Sequence, residues 1–126
     1  MSVFTERELE YLTGERRLAR VATVGADGTP HVVPARFEYN AELDVIDVPG
    51  HGMETSKKFR HVREQGRAAV VIDDVAGRNP WRPRAVEVRG RAEAIDGPPP
   101  LIRIHPEWIA SWGVEADGKR NEHKVR

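Results

Sequence analysis

The sequence predicts a single α+β domain, mainly β, in which six or seven antiparallel strands form a barrel and short helices are added to it. Short segments of alternating apolar and polar residues recur along the chain, and clusters of Gly, Pro, Asn and Asp separate them. A chain of 126 residues is enough for one ordinary domain. We therefore assign residues 1–126 to one domain and expect residues 115–126 to be a polar tail that is mobile or reaches a neighbour.

The N-terminal part combines one short helix with three strands. Thr5 followed by Glu8 has the spacing of a capping box, and Gly14 can end the helix, so we predict a helix over residues 5–13. Alternating apolar residues beyond it predict three strands separated by turn-forming segments. These strands cover residues 18–24, 31–39 and 43–48.

A second helix interrupts the strands. Residues 55–65 carry a narrow apolar stripe made by Phe59 and Val62, and Gly66 is the expected residue at which the helix ends. The continuous apolar run that follows, over residues 67–75, predicts a buried strand.

The remaining segments predict long strands with two irregularities. A loop rich in proline, residues 76–84, leads to the most regular alternation in the chain, residues 85–95. Gly90 within that strand predicts a bulge or a close approach of another backbone. Pro106 is expected to hinge two half-strands within residues 101–113, because proline has no N–H group to donate.

Composition restricts the classes of partner. The 20 basic and 20 acidic residues balance, so bulk charge predicts no attraction to nucleic acid or to an anionic membrane. No apolar run approaches the roughly 20 residues that span a membrane, and the acidic N-terminus is not a secretory signal, so we expect a cytoplasmic protein. Only 39% of the residues are hydrophobic, which favours burial of surface against a partner subunit.

Several kinds of chemistry lack their motifs. The five histidines show no metal-binding pattern, so we predict no metal site. There is no cysteine and no GxSxG turn for a nucleophilic serine, which disfavours a hydrolase. The glycine-rich loops GxxxxGK[ST] and GxGxxG, which hold nucleotide phosphates, are also absent.

The start of the second helix, Thr55-Ser56-Lys57-Lys58, is the strongest candidate for a binding site. The N-terminal end of a helix carries partial positive charge, so two lysines there are unfavourable unless something negative offsets them. Free amides and two ammonium groups would suit a phosphate or a carboxylate. The alternative is a solvated basic face on which Lys58 pairs with a nearby acid such as Glu54.

Trp81 and the arginines that follow it have two interpretations as well. Trp81 lies between prolines and could form the wall of a ligand site or plug one end of the barrel. Arg82 and Arg84 could contact an anionic ligand or simply be exposed.

Several segments, taken together and in order, resemble a known family. They are GTPHVVPARF, TSKKFRHVRE, AAVVIDDV, PWRPRAVEVRGRAE and LIRIHPEWIASWG. Over about residues 5–114 the chain is similar to the pyridoxamine 5′-phosphate oxidase-like split β-barrel proteins. More narrowly, it resembles their probable coenzyme F-420 (deazaflavin)-dependent oxidoreductases of actinobacterial type. This resemblance implies a split-barrel homodimer with two cofactor sites at the subunit interface.

The resemblance also implies which residues hold the cofactor. Lys58 would bind its phosphate, with Lys57 beside it, while two strand segments would line the ring. Thr55 and Ser56 would offer hydroxyls and amides to the phosphate, and Trp81, Arg82 and Arg84 would reach across from the partner subunit. The implied cofactor-binding residues are Val32, Val33, Pro34, Ala35, Arg36, Val48, Pro49, Gly50, Thr55, Ser56, Lys57, Lys58, Trp81 and Arg84.

The expected activity is the transfer of a hydride from reduced coenzyme F-420 to a small conjugated organic substrate. No residue is assigned a catalytic role, since in such chemistry the cofactor performs the transfer and the protein orients it. Two alternatives remain open. One is an FMN-binding oxidoreductase or flavin reductase on the same fold, and the other is a non-enzymatic protein that binds a cofactor or haem.

Overall fold

The computed structural model describes residues 1–125, which form two α-helices and eight strands. A short 3₁₀ turn, Met53–Thr55, precedes the second helix. In chain order the elements are α1 (Glu6–Thr13), β1 (Ala19–Val24), β2 (Pro30–Ala35), β3 (Glu38–Asn40), β4 (Val45–Pro49), α2 (Lys57–Gln65), β5 (Arg67–Arg78), β6 (Trp81–Ile95), β7 (Leu101–Trp112) and β8 (Asn121–Lys124).

All the strand pairs are antiparallel, in the order β2-β1-β5-β6-β7-β4-β3, and β8 pairs with β7. The two ends of this path are consecutive in sequence, because only Arg36 and Phe37 separate β2 from β3. The pairing of β3 with β4 ends at Glu38 and Asp47. On the N-terminal side of Glu38, the chain turns away from β4 and leads into β2. A barrel that opens where these two segments part is a split barrel, so the predicted fold class is confirmed.

The core lies between the inward faces of the strands and α2. Phe59 and Val62 of α2 are buried as the apolar stripe predicts, and the helix ends at Gly66 in the left-handed conformation. Inward side chains of the strands complete this core, among them Val21, Ile46, Val48, Val70, Ile72, Val86, Val88, Ile102, Ile104 and Ile109. This packing holds α2 rigidly across the barrel.

Helix α1 begins with the predicted capping box. The Thr5 hydroxyl accepts a hydrogen bond from the Glu8 amide at 3.1 Å, and the Glu8 carboxylate accepts one from the Thr5 amide at 2.9 Å. The side chain of Glu8 is fully buried, so this polar pair lies beneath the surface of the domain.

A group of four residues, which we call the Asp74 cluster, ties α1 to the barrel. The Asp74 carboxylate accepts hydrogen bonds from the Tyr11 hydroxyl at 2.8 Å, from Arg17 Nε at 3.1 Å, and from two nitrogens of Arg84 at 2.6 and 3.0 Å. The Arg17 guanidinium also lies 3.8 Å from the centre of the Tyr11 ring. The cluster therefore joins one helix and two strands through one carboxylate.

Gly90 shows both of the features predicted for it, a bulge and a close approach of another backbone. The register of β6 against β7 shifts between Arg89 and Gly90, which marks a bulge. A Cβ atom at Gly90 would overlap the carbonyl oxygen of His105 on β7, so the two backbones approach more closely than a side chain allows.

Three predictions about the C-terminal half need correction. The predicted loop 76–84 is mostly strand, since β5 and β6 pair up to Arg78 and Trp81. The predicted hinge at Pro106 is wrong: β7 is continuous because Pro106 lies opposite the bulge at Gly90, where the regular ladder is already interrupted.

The predicted C-terminal tail contains strand β8, which pairs with the outer edge of β7. The expectation that residues 115–126 are simply polar and mobile is therefore corrected for Asn121–Lys124, while Arg126 lies outside the described residues. The Trp108 indole donates to Glu122 at 2.7 Å, a cross-strand contact that local sequence did not reveal.

Within residues 1–125, neither helix is long and apolar enough to cross a membrane.

Candidate functional site

The start of α2 is built by a compact turn. Gly52 adopts the left-handed conformation at φ 66°, which lets the chain reverse into the 3₁₀ turn. The Ser56 hydroxyl caps the helix by accepting from the Phe59 amide at 3.2 Å, and it donates to the Met53 carbonyl at 2.7 Å. These bonds hold the first turn of α2 in place.

The donors of Thr55 and Ser56 are used within this turn. Both the amide and the hydroxyl of Thr55 donate to the Gly52 carbonyl, at 3.2 and 3.1 Å. The Ser56 amide donates to the Met53 carbonyl at 3.0 Å, as its hydroxyl does. The hydrogen bonds within residues 1–125 leave free the amides of Lys57 and Lys58, the next two residues of the helix. Thr55 and Ser56 thus shape the turn, and their predicted direct contact with a phosphate stays a prediction.

Neither lysine is neutralised within the part of the chain that the structure describes. No carboxylate there lies within 4.0 Å of Lys57 or Lys58, so the pairing of Lys58 with Glu54 is not formed. Lys57 is exposed and Lys58 is half-buried. Successive side chains leave a helix about 100° apart, so the two ammonium groups face different surroundings.

The two strand segments predicted to line the ring flank the split of the barrel. Within residues 1–125, strand β2 has β1 as its partner and leaves its other backbone edge unpaired. In the same described part of the chain, the backbone of Val48–Gly50, beyond Asp47, has no strand partner on the β3 side. The side chain of Val48 points into the core and is fully buried, so Val48 itself can offer a ligand only backbone groups.

Trp81 lies far from the lysines within one chain. Trp81 pairs with Arg78 at one end of β5. Ala69 lies near the other end of β5 and pairs with Ala22, just before the turn that faces α2. Nine residues of strand separate Ala69 from Arg78, a distance of about 30 Å. Trp81 is 62% exposed, and together with Arg82 and Trp112 it lines a cleft of about 420 Å³.

Arg84 is held in its own chain by the Asp74 cluster. Its guanidinium binds both carboxylate oxygens of Asp74, and these bonds, with those from Tyr11 and Arg17, lower the pKa of Asp74 to about 2. Burial, with the Asp74 hydrogen bond, raises the pKa of Tyr11. A single chain therefore does not bring Arg84 or Trp81 to the lysines, and their predicted contact with a cofactor requires a second subunit.

The structure brings Lys57 to a pair of histidines that the sequence analysis set aside. Lys57, Arg60 and His61 share one face of α2, at spacings of three and four residues. His31, the residue before Val32 on β2, packs edge-to-face against His61 with ring centres 5.7 Å apart. These four residues line a pocket of about 240 Å³, which we call the histidine pocket.

The histidine pocket carries two cationic side chains, Lys57 and Arg60, which favour an anion. Its remaining lining residues are Gly25, Asp27 and Thr29 of the turn between β1 and β2, and Pro30, the first residue of β2. Within residues 1–125, no group of three or more His, Cys, Asp or Glu side chains is placed to hold a metal ion. The spacing of Lys57 and His61 on one helix face was a readable signal, but the approach of His31 depends on how β2 pairs.

The start of α2 fits the phosphate of a cofactor. Two free amides lie at this helix terminus, and the ammonium groups of Lys57 and Lys58 flank it on different sides without a carboxylate partner in residues 1–125; amides and ammonium groups are the donors that a phosphate group requires. The unpaired backbone of β2 and of Val48–Gly50 lies at the split, where a flat ring could receive backbone hydrogen bonds.

Comparison with known proteins places the chain in a family. Residues 5–120 match the pyridoxamine 5′-phosphate oxidase family. The chain is 40% identical, over 129 residues, to 5a,11a-dehydrotetracycline/5a,11a-dehydrooxytetracycline reductase of Streptomyces rimosus subsp. rimosus, and the alignment covers 95% of this chain and 90% of that reductase.

Solved structures show the same fold. An F420 reductase superimposes with a TM-score of 0.59 at 23% identity, covering 77% of this chain and 91% of that one. The FAD binding protein from Mycobacterium smegmatis superimposes with a TM-score of 0.65 at 21% identity, covering 86% and 93%. With the match over residues 5–120 and the 40% identical reductase, these findings lead to one assignment: the chain belongs to the pyridoxamine 5′-phosphate oxidase family.

Proposed function

We propose that this protein is an oxidoreductase that uses reduced coenzyme F-420 to reduce a small conjugated organic substrate. The observation that carries the proposal is the pair of unneutralised lysines at the start of α2, beside two free amides. Membership of the family and the 40% identity to a reductase support the reaction class. The F420 reductase of the same fold supports the choice of deazaflavin.

Each part of the proposed site has a distinct task. Lys58 and the amides of Lys57 and Lys58 would hold the phosphate, because a charge-assisted hydrogen bond offsets the unfavourable position of a cation at a helix N-terminus. The backbone edges of Val32–Arg36 and Val48–Gly50 would hold and orient the ring at the split. When bound, the reduced deazaflavin supplies the hydride, and the protein supplies orientation and exclusion of water.

The protein is proposed to work as a homodimer. Val24 on β1 and Val32 on the edge strand β2 are 45% and 64% exposed, and an apolar cleft of about 450 Å³ runs from Val24 and Pro30 to Ala69. Such a surface favours a protein partner. A second copy would also bring Trp81 and Arg82 from the far end of its barrel to the lysines of the first, which one chain alone cannot do.

A titration of the cofactor-free protein tests the proposal. Fluorescence of F-420, of FMN and of riboflavin would be followed in parallel, with light scattering to give the mass in solution. Tight binding of F-420 and weak binding of FMN are expected, with riboflavin weaker still because it lacks a phosphate.

The other outcomes of the same titration are equally clear. Preference for FMN would move the protein to the flavin-dependent alternative, which the FAD binding protein of the same fold also supports. Binding of neither cofactor would contradict the proposal. Haem addition with a Soret band would then support the non-enzymatic alternative.

A further inference from the structure

We propose that the histidine pocket is a binding site for the oxyanion of a phosphate or carboxylate group, and that protonation of His31 and His61 strengthens its binding. The site is formed by Lys57, Arg60, His31 and His61. This site lies on a different surface of α2 from the one that Lys58 faces. The proposal does not depend on whether the protein uses F-420.

His61 has one ring nitrogen available to a ligand. Its side chain is nine-tenths buried, and its Nδ1 is 2.9 Å from the hydroxyl of Thr23, which is itself buried. The hydrogen bonds within residues 1–125 give no partner to Nε2. A Cβ atom at Gly25 would lie 3.2 Å from Nε2, so the absence of a side chain at Gly25 keeps this nitrogen accessible from the pocket.

Thr23 allows His61 to take up a proton without losing its hydrogen bond. A hydroxyl can donate to a neutral imidazole nitrogen or accept from a protonated one, simply by rotating. When His61 is protonated, Nδ1 can therefore donate to Thr23 while Nε2 donates into the pocket. The hydrogen bond to Thr23 is therefore compatible with either protonation state of His61.

His31 adds a second unsatisfied group. Its Nδ1 is buried and has no hydrogen-bond partner within residues 1–125. His31 and Thr23 are cross-strand neighbours on β2 and β1, so His31, Thr23 and His61 meet at one end of the barrel. Two protonated imidazoles this close repel each other, and an anion beside them would offset that repulsion.

The charged groups around the pair favour an anion. Lys57 and Arg60 line the mouth, and neither has a carboxylate partner in the described part of the chain. Asp27 is the opposing charge. The hydrogen bond that its carboxylate accepts from the Thr29 amide, at 2.9 Å, lowers the pKa of Asp27 and so favours its ionised form.

The size of the pocket fits a small oxyanion. A volume of about 240 Å³ is several times the roughly 30 Å³ that one water molecule occupies in the liquid. A tetrahedral or planar oxyanion with ordered water fits within this volume.

Sulfate is the probe for the test, because its charge does not change over the pH range in which histidine titrates. Binding to the full chain would be measured by NMR, following the imidazole signals of His31 and His61 at constant ionic strength. We expect both signals to shift on addition of sulfate, and the affinity to rise about tenfold or more between about pH 8 and 5.5. An affinity that does not change with pH would overturn the proposal.

Four variants make the result specific. Arg60→Gln alters an exposed side chain and should weaken binding several-fold at both pH values, and His61→Gln should remove most of the pH dependence. Asp27→Asn keeps an acceptor for the Thr29 amide and should strengthen binding at about pH 8. Lys124→Gln, on β8, is the matched control and should change nothing. Wild-type affinity in both Arg60→Gln and His61→Gln would also overturn the proposal.

Two further arms identify the source of the oxyanion. Displacement of sulfate by F-420 or FMN, but not by riboflavin, would assign the oxyanion to the cofactor phosphate. Simultaneous binding of sulfate and cofactor would assign it to a separate ligand, such as the acidic group of a substrate. Both results require the pocket, and both can be separated from failure of the proposed function, which is measured by cofactor binding at about pH 8, where histidine is mostly neutral.

Discussion

The Asp74 cluster and the start of α2 are two charged regions of one small domain, and they use their charges in opposite ways. In the first, one carboxylate satisfies Arg17, Arg84 and the Tyr11 hydroxyl, with the Arg17 side chain only 9% exposed. In the second, Lys57 and Lys58 have no carboxylate within reach in residues 1–125. Cations that are neutralised internally stabilise the fold, while cations left unpaired at a helix start are available to a ligand.

Removal of the Asp74 charge should have the largest effect on stability. Asp74→Asn leaves two guanidinium groups beside a neutral amide, and we expect a loss of about 3 kcal/mol in the free energy of unfolding. Urea denaturation gives the value. Asp73→Asn is the matched control, since Asp73 pairs with Arg20 where both side chains are more than 40% exposed. That control should cost less than about 1 kcal/mol, and equal losses in the two variants would remove the distinction between the regions.

Loss of the Lys58 side chain should weaken cofactor binding and leave the stability of the fold almost unchanged. Lys58→Ala is expected to weaken binding of the phosphate-bearing cofactor by about 1 to 3 kcal/mol, because one charged hydrogen bond disappears. Its unfolding free energy should stay within about 0.5 kcal/mol of the wild type. Cofactor titration and urea denaturation of the same sample measure both quantities, with Lys124→Gln as control. An unchanged titration would show that Lys58 is a solvated surface residue.

Acid should act on the Asp74 cluster. The folded pKa of Asp74 is about 2, below its ordinary value of 3.8, so its contribution to stability is present above about pH 4 and is lost as the pH falls towards 2. Allowing for partial exposure, we expect about 1 to 2 kcal/mol to disappear over this range. The difference between the urea midpoints of wild type and Asp74→Asn should therefore shrink as the pH falls from about 4 towards 2. Curves that stay parallel would mean that other carboxylates dominate.

Arg84 offers the smallest and most discriminating change. Arg84→Lys keeps the charge and removes the two-pronged contact with Asp74, so we expect a loss of about 1 kcal/mol in stability. If the role of Arg84 lies within its own chain, cofactor affinity should remain within about twofold. A large loss of affinity with full stability would instead support the contact across the subunit interface that the family resemblance implies.

The features that could be predicted from sequence have local causes. The capping box of Thr5 and Glu8 and the end of α2 at Gly66 each depend on a few neighbouring residues, and the bulge at Gly90 follows from glycine within a regular alternation. The lysines at the start of α2 belong to this class, since the helix that exposes them is encoded around them. The backbone walls and the phosphate contacts came from the family resemblance and remain predictions.

The features that were missed depend on pairing between distant segments. Strand β8 has a polar sequence and forms because the edge of β7 offers backbone partners. Pro106 does not interrupt β7, because it lies opposite the bulge at Gly90 of β6. His31 and His61 are thirty residues apart, and no local pattern reports that β2 and α2 bring their rings together.

Local sequence determined the helices, most of the strands and the unusual charge at the start of α2, because capping, alternation and glycine conformation act over a few residues. Closure of the barrel decided which charges meet. It placed Asp74 between Arg17 and Arg84, left Lys57 and Lys58 without a carboxylate partner among residues 1–125, and brought His31 against His61. Electrostatic interactions fall off with distance and with solvent screening, so the role of each charge followed from the neighbours that the tertiary structure supplied.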